Sequence, residues 1–244
     1  MSLMLVRDWR TRVVGEFSNQ LEFSIFLRKA EHPFDILILD VDILGGEYGI
    51  EDICNQLEAC SKPVRILLTG IRPEPYIFRQ TLDDRVSGYV LKQEVGYSLS
   101  WVITFLAEGA WVLTPGTMTL AHKMNHVLPD NQLIIDGQKS IPGFTDHEAE
   151  VARLAFIFSL GRRDLADELK ISEQWSYGLV SELYKKMGLS EILSGEVDLF
   201  THIPDNPIIR RHFSEIIEHL GSSTKAKDME TLSYHLLTMP EIVS

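Results

Sequence analysis

Three apolar runs in the first half of the chain each end in a residue that can do chemistry. Residues 36–39 (ILIL) lead to Asp40, 65–68 (RILL) to Thr69 and 88–91 (GYVL) to Lys92. A carboxylate, a hydroxyl and an ammonium brought together suit an acyl phosphate. The carboxylate is the nucleophile, and the other two stabilise the phosphoryl oxygens. A divalent cation normally completes the charge neutralisation in such a site. Other signals are weaker. His122 and His126 have metal-ligand spacing but no third ligand and no HExxH pattern, so they read as surface or capping histidines. Cys54 and Cys60 fall on different faces of a helix, which excludes a local disulfide or a zinc pair. There is no Gly-rich phosphate loop and no G-x-S-x-G elbow, so no catalytic residues are assigned and an enzyme is not expected.

Strands must bring that trio together, because functional residues of parallel α/β sheets gather at the carboxyl ends of the strands. Near-continuous apolar runs such as 34–41 (FDILILDV) and 63–69 (PVRILLT) mark strands buried on both faces. Residues 13–17 (VVGEF) read as a further short strand. Helical patterns at 21–30, 50–59, 75–82 and 97–107 alternate with the strands, which argues a doubly wound parallel sheet. After Pro115 the pattern changes to a helix plus linker with a turn at Pro129. From Thr145 onward only helical periodicity is present. Thr145 and Glu148 form a capping box, and Ser172 starts another helix. The boundaries expected are 1–115 for the sheet domain, 116–143 for a helix and linker, 144–200 for a helical domain and 201–244 for a helical extension. The stripe Ile208, Ile209, Phe213, Ile216, Ile217 and Leu220 suits core packing or dimerisation.

The 244 residues carry a formal charge of −12, which does not favour a nucleic-acid backbone overall and makes the local charge decisive. No apolar run is long enough to cross a membrane. The N-terminal segment has no signal-peptide pattern, so the expected location is the cytoplasm.

The segments FDILILDVDI, PVRILLTG and VSGYVLKQE resemble, in order and spacing, the third, fourth and fifth strands of a receiver domain. FTDHEAEVARLAFIFSLGRRDLADELKISEQWSYGLVSELYKKMGL resembles a LuxR-type helix-turn-helix. Together they resemble the NarL/FixJ (LuxR-type) response regulators over roughly residues 13–189. That resemblance implies a receiver-like, flavodoxin-like α/β domain followed by an all-α helix-turn-helix domain with extra C-terminal helices. It implies Asp40 as phosphoacceptor, Thr69 and Lys92 as phosphate-site support, and Tyr89 as the switch aromatic. Mg²⁺ is implied if the receiver is active, with Asp8 and Asp40 as its candidate ligands.

The match is that of an atypical member. Receivers carry an acidic pair after their first strand, and the only candidate here is Arg7-Asp8, with a cation in place of one acid. Too few residues separate Asp8 from 13–17 for the crossover that parallel neighbours need. The trio is then either a remnant or an acceptor phosphorylated by a kinase, and labelling by a small phosphoryl donor is expected to be poor. In the helix-turn-helix segment, residues 144–189 carry six Lys or Arg against eight Asp or Glu. Phosphate contacts fall to Arg162, Arg163, Lys185 and Lys186, and base-edge contacts to Gln174 and Tyr177. Two functions follow. One is a transcription regulator binding double-stranded DNA as a homodimer, with a histidine kinase or other protein as partner. The other is an adaptor that does not bind DNA and uses both domains, including Trp175 and Tyr177, as protein surfaces.

Overall fold

In the computed structural model the apolar runs become parallel neighbours in one sheet. The structure describes residues 2–29, 34–44, 47–58, 62–79, 84–137, 143–221 and 224–243. Two units result: Met1–Gln138 with Pro240–Ser244, and Lys139–Met239. The architecture is that of an α/β unit and a helical unit, as the sequence implies.

The first unit begins with α1 (Ser2–Arg7) and α2 (Gln20–Lys29). It continues through β1 (Ile36–Asp40), α3 (Glu47–Leu57), β2 (Arg65–Gly70), a 3-10 turn (Pro75–Phe78) and β3 (Val86–Leu91). Then come α4 (Lys92–Val95), α5 (Leu99–Ala107), β4 (Trp111–Leu113), α6 (Pro115–Lys123) and β5 (Gln132–Asp136). The last strand, β6 (Glu241–Val243), comes from the far end of the chain. The strand order is β1-β2-β3-β4-β5-β6, parallel except for the antiparallel β5–β6 pair.

This order corrects two expectations. Residues 13–17 form no strand; they run as coil with Val14 exposed, and Phe17 anchors them on Phe23 and Phe26 at 5.6 and 4.8 Å between ring centroids. With α1 occupying 2–7, no crossover of sufficient length fits before them. Among the described residues no strand precedes β1, which is therefore a sheet edge, and Ile36, Leu37 and Ile38 are only half-buried. The second correction concerns 116–143. Most of its described part is α6 and β5, which extend the sheet beyond β3, and the boundary between units lies near residue 138 rather than 115.

Alternation along the strands covers both faces. Leu39, Ile66, Leu68, Tyr89 and Leu113 share a core with Phe23 of α2, Ile53 and Leu57 of α3, Phe78 and Ala121. Leu67, Val90 and Val112 alternate with these and are fully buried, as are Trp101, Phe105 and Leu106 of α5, on which α1 packs. Each such apolar side chain contributes about 1.5–3 kcal/mol of burial. Gly88 is required where β4 closes on β3: a Cβ there would lie 2.5 Å from the Val112 carbonyl oxygen.

In the second unit, α7 (Asp146–Ala152) starts at the expected Thr145–Glu148 capping box and widens into a π turn, Arg153–Ile157. α8 (Arg162–Leu169) ends at Lys170 in the left-handed conformation, φ 55°. Ser172 caps α9 (Glu173–Lys186), its hydroxyl accepting from the Trp175 N–H at 3.2 Å. Val151, Ala155, Phe156, Leu165, Val180 and Leu183 form the core of this helix pair, with Leu237 against it. α10 (Leu189–Ser194), α11 (Pro207–His219) and α12 (Lys225–Thr238) follow. Half of the expected stripe is core: Ile209, Phe213 and Ile216 are buried, Ile208 and Leu220 are half-buried and Ile217 is exposed.

Candidate functional site

The carboxyl ends of β1 and β3 bring two of the three sequence-predicted residues into contact. Lys92 follows β3 directly, as the first residue of α4. Its position is fixed from behind: the Leu91 N–H donates to Thr114 Oγ1 at 3.1 Å, and Thr117 Oγ1 donates to the Tyr89 carbonyl at 2.8 Å. Lys92 Nζ then reaches Asp40 Oδ2 at 2.7 Å.

A second carboxylate completes the cluster. Asp42 Oδ2 lies 2.9 Å from Lys92 Nζ and accepts the Ile71 N–H at 3.0 Å. The Asp42 N–H in turn donates to Asp40 Oδ1 at 3.2 Å. The turn after β1 is tied to β2 by the Val41 N–H on the Thr69 carbonyl at 2.9 Å. All three side chains are partly open to solvent, between 25% and 30% exposed. The hydrogen bond from Lys92 holds the Asp42 carboxyl below its usual range, aided by the Ile71 N–H and opposed by desolvation. Desolvation alone would depress the Lys92 ammonium, but the hydrogen bonds to Asp40 and Asp42 outweigh it and raise its pKa.

The other expected members stand apart. Thr69 sits beside Asp40 in register, yet its hydroxyl turns to the Leu39 carbonyl at 3.5 Å. Tyr89 is fully buried; its phenol donates to the Arg72 carbonyl and accepts from the Glu74 N–H, each at 2.9 Å. Burial pushes that phenol well above its ordinary value. Asp8 corrects the sequence assignment as a metal ligand. Its side chain is fully buried, with Oδ1 taken by Arg10 Nε at 2.9 Å and Oδ2 by Arg10 Nη2 at 2.7 Å. Arg10 itself lies over the Trp101 ring, 4.9 Å from its centroid.

These residues do not fit a resident Mg²⁺. The Lys92 ammonium is shared by one oxygen from each carboxylate that could ligate it, and Asp8 is committed to Arg10. Asp42 was not singled out from the sequence, although the D-V-D spacing that puts it on the same side as Asp40 was legible.

In the helical unit, α8 and α9 pack as a pair and leave one face of α9 open. Gln174, Trp175, Tyr177, Gly178, Ser181 and Lys185 are exposed, Trp175 by 60% and Tyr177 by 57%. Arg163 is exposed, and neither it nor Lys185 makes an ion pair among the described residues. Arg162 is half-buried, 5.8 Å from the Tyr177 ring centroid, and its carbonyl accepts the Ser176 hydroxyl at 2.9 Å. Lys186, expected as a phosphate contact, is paired within the unit: its Nζ bonds Glu148 Oε1 at 2.7 Å and Oε2 at 2.8 Å. No helix among the described residues is long and apolar enough to cross a membrane.

No family model matches the chain, and no curated protein matches it. A solved structure of the RcsB response regulator of Salmonella typhimurium, described for conformational dynamism in DNA interaction, is similar over 76% of this chain and 83% of that one. The identity is 20% and the TM-score 0.40, a likeness too coarse to assign any residue a role.

Proposed function

We propose that this chain is a transcription regulator of the response-regulator type that binds double-stranded DNA as a homodimer. Its Asp40 site accepts phosphoryl groups poorly. The observation that carries the reading is the exposed stripe on α9. Gln174, Gly178, Ser181 and Lys185 recur at helical spacing on the second helix of a capped pair, with Arg163 of α8 as a further exposed cation. Gly178 costs about 1 kcal/mol relative to Ala inside a helix. A Cβ there would meet nothing within 4 Å, so no internal packing demands the glycine. It leaves the α9 backbone open to close approach by a groove.

The stripe that the sequence offers for dimerisation buries Ile209, Phe213 and Ile216 and leaves Ile217 as its exposed member, so the dimer needs a further surface. β1 offers it. The flanking bonds (Arg65 N–H to Asp35 carbonyl, Val41 N–H to Thr69 carbonyl) put the odd-numbered residues on the β2 side. The backbone groups of Ile36, Ile38 and Asp40 therefore face outward from an apolar edge, and a second copy running antiparallel about Ile38 pairs them with themselves.

Light scattering should report about twice the 27.8 kDa chain mass. Anisotropy titration of the full chain against a random duplex library should show binding that weakens steeply with salt. Absence of duplex binding at low salt would leave the second reading, an adaptor. That reading is favoured by the exposed Trp175 and Tyr177, residue types that concentrate at protein interfaces.

A further inference from the structure

We propose that the Asp42 carboxylate occupies, within the molecule, the place a phosphoryl oxygen would take at the Asp40 site, and so keeps that site closed to phosphoryl donors. The inference rests on the reading of Asp40 as a weak acceptor and supplies its cause. Two donors converge where β2 and β3 end: the Lys92 ammonium and the Ile71 backbone N–H. A tetrahedral phosphoryl group delivered to Asp40 would need donors of this kind for its equatorial oxygens. Asp42 Oδ2 already accepts from both, at 2.9 and 3.0 Å.

The charge count points the same way. Two carboxylates face one ammonium, so the ionised cluster carries a net negative charge toward an anionic donor. The Asp42 N–H on Asp40 Oδ1, at 3.2 Å, further draws on the oxygen that lies away from Lys92. Transfer from acetyl phosphate would form a bond between an Asp40 oxygen and phosphorus and break the bond from phosphorus to the acetate oxygen. Acetate would leave with the bonding pair. The incoming phosphoryl oxygens must displace Asp42 from Lys92 and Ile71 before that transfer is stabilised. Removing the Asp42 carboxylate vacates both donors and leaves the nucleophile in place.

The test is the initial rate of labelling of the full chain by radiolabelled acetyl phosphate, with magnesium in the buffer. Wild type, Asp42→Ala and Asp42→Asn are compared, each also with Asp40→Asn. Asp42 is a partly exposed turn residue, and circular dichroism confirms folding of each variant. Asp42→Ala should label about fivefold faster than wild type, the ceiling for an ion pair this exposed. Asp42→Asn, which keeps the shape and loses the charge, should also label faster. Asp40→Asn should abolish the signal in every background. An unchanged or slower rate in Asp42→Ala overturns the proposal, as does labelling that survives Asp40→Asn. Duplex binding measured on the same samples separates the two readings. Labelling unchanged with DNA binding intact overturns this inference alone, whereas labelling raised with no DNA binding overturns the regulator.

Discussion

At the carboxyl end of β1 each charged side chain has a partner inside the molecule, although two carboxylates share one ammonium. Asp40 and Asp42 share Lys92, and Asp42 also takes a backbone N–H. On the open face of α9 the cation at Lys185 and the amide at Gln174 meet no such partner among the described residues, and two aromatic rings stand in solvent. The first region holds the groups that the resemblance makes reactive, yet spends their hydrogen-bonding capacity internally. The second lacks the basic character of a strong DNA reader and keeps its capacity open among the described residues. Residue identity alone therefore misleads in both places: partner count decides what a side chain has left to offer.

The sharpest way to break this contrast is Asp8. If it belonged to the phosphate site, Asp8→Asn would change labelling and leave stability nearly untouched. The structure makes it half of a buried bidentate pair with Arg10, whose side chain is 6% exposed. Removing one member of a buried pair strands the other, at about 3–5 kcal/mol. Urea denaturation of Asp8→Asn should show a loss of that order in midpoint stability, at unchanged slope. A loss below about 1 kcal/mol would return Asp8 to the list of possible ligands.

The sequence carried the strand ends and the helix caps because both are local signals. An apolar run ending at Asp40 or Lys92, and a Thr145–Glu148 box, each sit within a few residues. It did not carry the sheet order. β4 is three residues long and β6 lies over a hundred residues from β5, its partner, so neither has a period to detect. The buried Asp8–Arg10 pair spans two positions in a region read as an acidic-pair candidate, where the resemblance overrode the simpler neighbour interaction. The Lys186–Glu148 pair was not legible for the opposite reason, since the two residues are 38 positions apart in sequence.

The adjacent lysines of α9 sharpen the comparison within one helix. Lys185 is exposed and makes no ion pair among the described residues, while Lys186 is bound to Glu148. Losing one phosphate contact flattens the dependence of log affinity on log salt by about 0.9. Lys185→Ala should show that change in duplex titrations across salt. Lys186→Ala should leave the slope within error of wild type. Equal effects at both positions would mean that Lys186 leaves Glu148 on binding, and the rule drawn from partner counts would fail for exposed pairs.

The smallest expected effect is a pH dependence of the same pair. The Lys186 hydrogen bond, followed by the Thr145 N–H and hydroxyl, lowers the Glu148 pKa from 4.5 to about 2. Folding thus favours the ionised carboxylate, and the stability it confers is complete above the unfolded value. As pH falls from about 4.5 to about 2, Glu148 takes up its proton in the unfolded chain while the folded carboxylate resists it, and that contribution drains away. Glu148→Gln keeps an acceptor for the cap and cannot titrate. Its stability should lie below wild type at pH 6, and the two should converge near pH 2. Lys186→Met removes the largest cause of the shift, so its loss of stability should begin at the same unfolded value but be smaller and end at a higher pH than in wild type. Thermal melts of the three proteins from pH 6 to pH 2 measure this directly. A gap between wild type and Glu148→Gln that stays constant over that range would show that the Lys186–Glu148 contact is too weakly populated in solution to hold Lys186 back from a phosphate. Lys186 would then rejoin Lys185 on the working face of α9.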